Sequence, residues 1–209
     1  MPAVLPLTLT IVPFDGVPIS IPISSSSWDS STSTGAAVTF LPLRAGAMFV
    51  ASLDDAQGNP TGPTSDIIKV QESDNDSCVP PLSDTPQEKV FAIEGILGQC
   101  DPFNVSYDPF VVTQTPTVRG FIPIGPGSFL KQGRPSQTPG VQEFILAGLH
   151  GFQVTLLVDD GAGHREATKL TPIAGDSLSR LSCIDFLKPT QTAIIGASQN
   201  TEGTAMLSG

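Results

Sequence analysis

Apolar and polar residues alternate at period two in short stretches along the chain, the spacing of half-buried β-strands. The clearest stretch runs from Pro6 to Val12. Val17 to Ile23 is a second, interrupted by Pro18 and Pro22 and therefore expected at a sheet edge, where a missing N–H does no harm. Ala37 to Leu43, Ala47 to Leu53 and Ser65 to Val70 complete a first set, with a Ser/Thr-rich loop from Ser24 to Gly35 that carries Trp28. A second set covers Lys89 to Ile96, Phe103 to Tyr107, Phe110 to Thr113, Thr117 to Ile124, Val141 to Leu146 and Phe152 to Val158, with a long Gly/Pro loop over 125–140. No long run places apolar residues at i, i+3, i+4 and i+7 between helix caps. The expected class is all-β.

The two sets are copies. Six anchors align without a gap at an offset of 105: Gly46/Gly151, Asp54/Asp159, Asp55/Asp160, Gly58/Gly163, Ser77/Ser182 and Cys78/Cys183. That offset is the size of one small β-sandwich. The chain therefore reads as two tandem immunoglobulin-like or fibronectin-like β-sandwich domains, repeat 1 over 1–80 and repeat 2 over 87–188, followed by a tail over 189–209. Pro80, Pro81 and Pro86 stiffen the junction by fixing φ. The aromatic landmarks Trp28 and Tyr107 align at an offset of 79 instead, which predicts about 26 extra residues in repeat 2, placed in the 125–140 loop.

Composition narrows the function classes. The 209 residues carry 20 Gly, 20 Pro and only 14% charged residues, which suits a turn-rich β protein. The net charge of −10 argues against nucleic acid, whose phosphates demand clustered Lys and Arg. Residues 1–86 hold nine acidic side chains against two basic ones, Arg44 and Lys69. No apolar run reaches the roughly 18 residues of a membrane span. The first residues lack the basic and apolar regions of a secretory leader, so the expected secreted location presumes that a signal peptide has been removed.

Three cysteines leave one over. The first and last strands of a sandwich can lie close, which makes Cys100–Cys183 the expected bridge; closing that loop stabilises by roughly 4 kcal/mol in the chain-entropy view. Seven residues before Trp28, Ile21 stands where Cys100 stands relative to Tyr107, so Cys78 is expected to be unpaired: a free thiol, a small buried hydrophobe or an intermolecular bridge. The spacing fits no zinc site, and no metal or cofactor is expected.

Candidate chemistry is sparse. Asp54-Asp55 and Asp159-Asp160 offer paired carboxylates, but without calcium-loop spacing they read as hairpin turns in which Asp accepts bonds from its own backbone. A glycosidase pair would need carboxyls facing each other across a cleft, which nothing in the sequence arranges. His150 and His164 are the two histidines, and no Gly-x-Ser-x-Gly elbow accompanies them, so both read as structural and no catalytic residue is assigned. Trp28 and Tyr107 read as core aromatics, with a sugar-stacking platform as the alternative. Asn75 and Asn104 open N-glycosylation sequons.

The run Gln99-Cys100-Asp101-Pro102-Phe103 to Tyr107, the Gly before an alternating strand, Asp-Asp-x-x-Gly and the closing Ser182-Cys183-Ile184 resemble modules of uncharacterised secreted and cell-surface proteins of mushroom-forming fungi. The resemblance implies secretion, one disulfide per module and a wall or surface setting, and brings no activity. The expected function is a non-enzymatic extracellular structural or adhesion protein that partners with itself as oligomer or filament; the alternative is a carbohydrate-binding module for cell-wall glycans, which needs exposed aromatics.

Overall fold

A computed structural model describes residues 4–29, 31–32, 34–35, 41–72, 89–176, 178–179, 181 and 183. Among them the chain is all-β, apart from one 3-10 turn at Ser25–Ser27. Repeat 1 contributes β1 (Leu7–Pro13), β2 (Ile19–Ile23), the short β3 (Trp28–Asp29) and β4 (Thr34–Gly35), β5 (Met48–Asp54) and β6 (Ile68–Lys69). Repeat 2 contributes β7 (Phe91–Glu94), β8 (Pro102–Tyr107), β9 (Thr117–Phe121), β10 (Gly127–Phe129), β11 (Lys131–Gln132), β12 (Val141–Ile145), β13 (Gln153–Asp159), β14 (Arg165–Ala167) and β15 (Thr171–Pro172).

Three antiparallel sheets form a stack. The first has the order β2-β1-β5-β6, the second β10-β9-β13-β14 with β15 also on β13, and the third β11-β12-β8-β7. The second and third make a sandwich whose core holds Val118, Val154, Leu156 and Val158 from one sheet and Phe91, Phe103, Val105 and Phe144 from the other. Phe103 and Phe144 are register partners with ring centroids 6.1 Å apart.

The opposite face of the second sheet is also covered. Phe121, Leu157 and Ala167 pack against Val12 and Val50 of the first sheet. This explains why β13 reads Val-Thr-Leu-Leu-Val without alternation and is buried at five consecutive positions: it is a middle-layer strand with two buried faces. The expectation of two tandem sandwiches is therefore refined. The junction at 80–87 lies outside the described residues, and within them the repeats meet face to face instead of following one another as separate bodies.

Strand pairing also corrects the alignment of the copies. Thr8↔Asp54 in the first sheet matches Thr117↔Asp159 in the second, so β1 corresponds to β9, and Ser20 of β2 corresponds to Phe129 of β10. The offset there is 109, four residues from the 105 of β5 and β13. The 125–140 segment is thus no insertion; it holds β10 and β11. Ile21, in β2 opposite Leu9, is not the counterpart of Cys100, which precedes β8. The expected strand at 110–113 is a turn closed by Val111 N–H and Val112 N–H donating to Asp108 O.

Candidate functional site: the interface between the repeats

The buried contact between the repeats centres on one ion pair. Arg119 points from the covered face of β9, and its Nη1 and Nη2 each donate to a different oxygen of Asp54 at 2.8 Å. The two side chains are 8% and 3% exposed. Thr10 Oγ1 donates to Asp54 Oδ2 at 2.6 Å and Ser52 Oγ to Oδ1 at 2.7 Å, so the carboxylate accepts four bonds. Thr10, Ser52 and Asp54 share a face because register partners and alternate residues point to the same side of a sheet. The guanidinium carbon lies 4.7 Å from the Phe121 ring centroid and 5.1 Å from that of Phe129, a cation–π position on both rings. The buried Nε has no hydrogen-bond partner among the described residues.

Backbone bonds flank this pair in two matching sets. At the β1–β2 turn, Asp15 N–H donates to Thr168 O at 3.0 Å and Ala167 N–H donates to Gly16 O at 2.9 Å. At the β9–β10 turn, Ile124 N–H donates to Ser65 O at 3.1 Å and Thr64 N–H donates to Gly125 O at 2.8 Å. Asp15-Gly16 and Ile124-Gly125 are equivalent turn residues, and Asp15 and Ile124 share positive φ values of 62° and 58°. Ser65 and Thr168 are likewise equivalent: each hydroxyl accepts an N–H of the adjacent strand, from Ala51 at 2.8 Å and from Leu156 at 2.9 Å. Each repeat thus does to the other what the other does to it. The interface has pseudo-two-fold symmetry and joins equivalent faces of equivalent sheets.

Asp55 and Asp160 accept bonds from their own turns, Asp55 from the Gln57 and Asn59 N–H groups and Asp160 from those of Ala162 and His164. Asp159 makes a surface pair with Arg165 Nε at 2.7 Å. His164 Nδ1 lies 2.6 Å from Asp160 Oδ2, and His150 Nδ1 lies 2.9 Å from Gln99 Oε1. Burial on its own would raise the Asp160 pKa, but the His164 ring and the two turn N–H groups hold its carboxyl below the ordinary carboxylate value. Cys100 and Cys183 form a disulfide with Cα atoms 5.3 Å apart. Tyr107 is half-buried and meets Phe91 edge-on, while Asn104 lies half-buried in β8 opposite Glu94 and Glu143. Phe129, the aromatic of the 125–140 segment, stacks on Arg119 and is only half-exposed. Asn75, Cys78 and the Trp28 side chain lie outside what the structure describes.

Sequence reasoning missed Arg119, Thr10 and Ser52. A lone Arg inside Val118-Arg119-Gly120-Phe121 was the available signal, because a charge in an apolar strand needs a buried partner.

Beside the interface a groove of about 580 Å³ opens between the β7 and β14 edges, its walls including Asp15, Lys89, Phe91, Tyr107, Glu166 and Lys169. Lys89 Nζ donates to Asp15, whose carboxyl is held below its ordinary value chiefly by that bond. Among the described residues no group of three or more His, Cys, Asp and Glu side chains could hold a metal ion.

Comparison with protein-family models finds no match, and comparison with curated proteins finds none either. Among solved structures the chain is similar to SGBP-B of the Bacteroides ovatus mixed-linkage glucan utilization locus, solved with a mixed-linkage heptasaccharide. The identity is 15% and the TM-score 0.29, over 82% of this chain and 38% of that one. The chain thus spans well under half the length of that protein.

Proposed function

We propose that this chain is a non-enzymatic extracellular structural or adhesion protein in which the two repeats act as one rigid spacer. The carrying observation is the buried bidentate Asp54–Arg119 pair with its two flanking sets of backbone bonds. A spacer must hold a fixed distance under load, and these bonds remove the hinge that tandem domains otherwise have. The Cys100–Cys183 bridge supports an oxidising compartment, and with the fungal resemblance it points to a cell surface or wall. The test has two parts. Beads coated with the protein should cluster, and chitin, β-1,3-glucan and mixed-linkage glucan should release no reducing ends. Beads that stay dispersed or sugar that is released would each refute the reading.

Glycan binding is the second reading. Its support is the groove that reaches Tyr107 together with Phe110, which is 93% exposed in the turn leaving the same strand. Retention on a glucan or chitin gel, reduced by Phe110→Ala, would carry it; no retention on either would end it.

A further inference from the structure

We propose that the Asp54 face of repeat 1 is a docking surface that the Arg119 face of a second copy of this chain can occupy, so that chains join by exchanging repeats. The interface is complete without the covalent link between its halves: the ion pair, the apolar cluster and all four flanking backbone bonds run between residues 4–72 and 89–183. Residues 73–88 are the covalent connection, and sixteen residues span at most about 55 Å. A link of that length allows closure within one chain and also crossing to a neighbour, the condition under which identical elements exchange between protomers.

The occupant is specified by charge. At the position of Arg119, repeat 1 carries Thr10. Two Asp54 faces meeting would bury two carboxylates with no guanidinium between them, a like-charge arrangement that desolvation makes costly. The Asp54 face therefore accepts an Arg119 face, either its own or another chain's. A short linker holds the internal partner at an effective millimolar concentration, so closure within one chain wins in dilute solution and exchange wins in a crowded layer. Reciprocal exchange closes a dimer; non-reciprocal exchange propagates a filament. The inference rests on the interface and not on the spacer role.

Asp54→Arg and Arg119→Asp each place like charges in the interface, and the double variant in one chain restores an opposite pair. Equal amounts of the two single variants, unfolded together with the disulfide intact and refolded, should give a mixed dimer of twice the 21.8 kDa chain mass. That dimer carries one native pair and one reversed pair. The double variant alone should refold at the single-chain mass. Mixed single variants that yield no dimer while the double variant folds would overturn the proposal. So would a dimer from Asp54→Arg alone, because it would form with no Asp54–Arg119 pair to join the chains. If no variant folds, the wild type decides: light and isotope-labelled chains refolded together near millimolar concentration should show mixed dimers by native mass spectrometry, and single chains only would refute exchange.

Discussion

Asp54 and Asp159 occupy the same position in the two copies, at the end of β5 and of β13, and each pairs with an arginine. Their surroundings separate them. Asp54 is 3% exposed and holds Arg119 of the other repeat; Asp159 is 26% exposed and holds Arg165 from the neighbouring strand. One identical sequence anchor therefore serves as a cross-link in one copy and as a surface pair in the other. The difference is made by the partner strand. Thr10 and Arg119 are equivalent residues on β1 and β9, and only the second can reach across the interface as a cation. A repeat read from its anchors shows the shared fold; its departures from symmetry show where energy is concentrated.

Removing the two arginines should expose that contrast most strongly. Arg119→Ala leaves the Asp54 carboxylate buried without its counter-ion, which costs about 3–5 kcal/mol. Arg165→Ala removes a half-exposed partner and costs under about 1 kcal/mol. Urea titrations followed by fluorescence would compare them; equal midpoints would mean that Asp54 is wetter than its exposure indicates. Replacing Asp54 by Leu and Arg119 by Met together should cost less than Arg119→Ala, because the desolvation of both charges disappears with them, and what remains is the loss of an acceptor for the buried Thr10 and Ser52 hydroxyls.

The disulfide sharpens the comparison next. Cys100–Cys183 ties the entry of β8 to the end of repeat 2, and repeat 1 has no such bridge among its described residues. Cys100→Ser with Cys183→Ser should cost about 4 kcal/mol for a closed loop of this length. Because the repeats share an interface, the loss should appear as one shifted transition. A separate early transition would show instead that repeat 2 unfolds on its own.

Most of the described strands and the turn role of Asp55 and Asp160 were readable because both rest on local chemistry: period-two alternation, and Asp accepting bonds from N–H groups two and four residues on. Asp54, expected in the same turn, instead ends β5 and turns its carboxylate to the other repeat. The stack was harder to read. β13 announces two buried faces through Val154 to Val158, but an apolar run does not say what covers it. Arg119 likewise announces a buried partner without naming Asp54, 65 residues away. The misplacement of Ile21 opposite Cys100 has the same origin. Trp28 and Tyr107 look alike in sequence, whereas strand register, which only the folded backbone fixes, makes β1 the counterpart of β9.

Asp55 and Asp160 form a second matched pair, and both carboxyls are held below the ordinary value. For Asp55 the leading cause is the Asn59 N–H; for Asp160, burial pushes upward and the His164 ring with two N–H groups outweighs it. A depressed folded value means the carboxylate's contribution is full above the ordinary value of 3.8 and is lost as pH falls through the folded value. Asp160→Asn should therefore cost about 1–2 kcal/mol at neutral pH and flatten the acid limb of stability below about pH 4. Thermal melts between pH 2 and 7 would show this. An unchanged acid limb would place the acid sensitivity in other carboxylates.

The smallest effect concerns the two equivalent turns. Asp15 and Ile124 share a left-handed backbone, with φ of 62° and 58°, and both donate their N–H across the interface. Asp tolerates that region because its short polar side chain bonds locally, whereas a β-branched side chain crowds its own carbonyl there. Ile124 is 65% exposed, so little burial is lost by changing it. Ile124→Asn should stabilise by about 1 kcal/mol, raising the melting temperature by about 2–4 °C for a chain of this size. Asp15→Ile should do the reverse and also lose the Lys89 pair, lowering the melting temperature further than Ile124→Asn raises it. If both substitutions left it unchanged, the backbone bonds to Ser65 and Thr168 would be holding the turns in place regardless of side chain, and the symmetry of the interface would reside in the main chain alone.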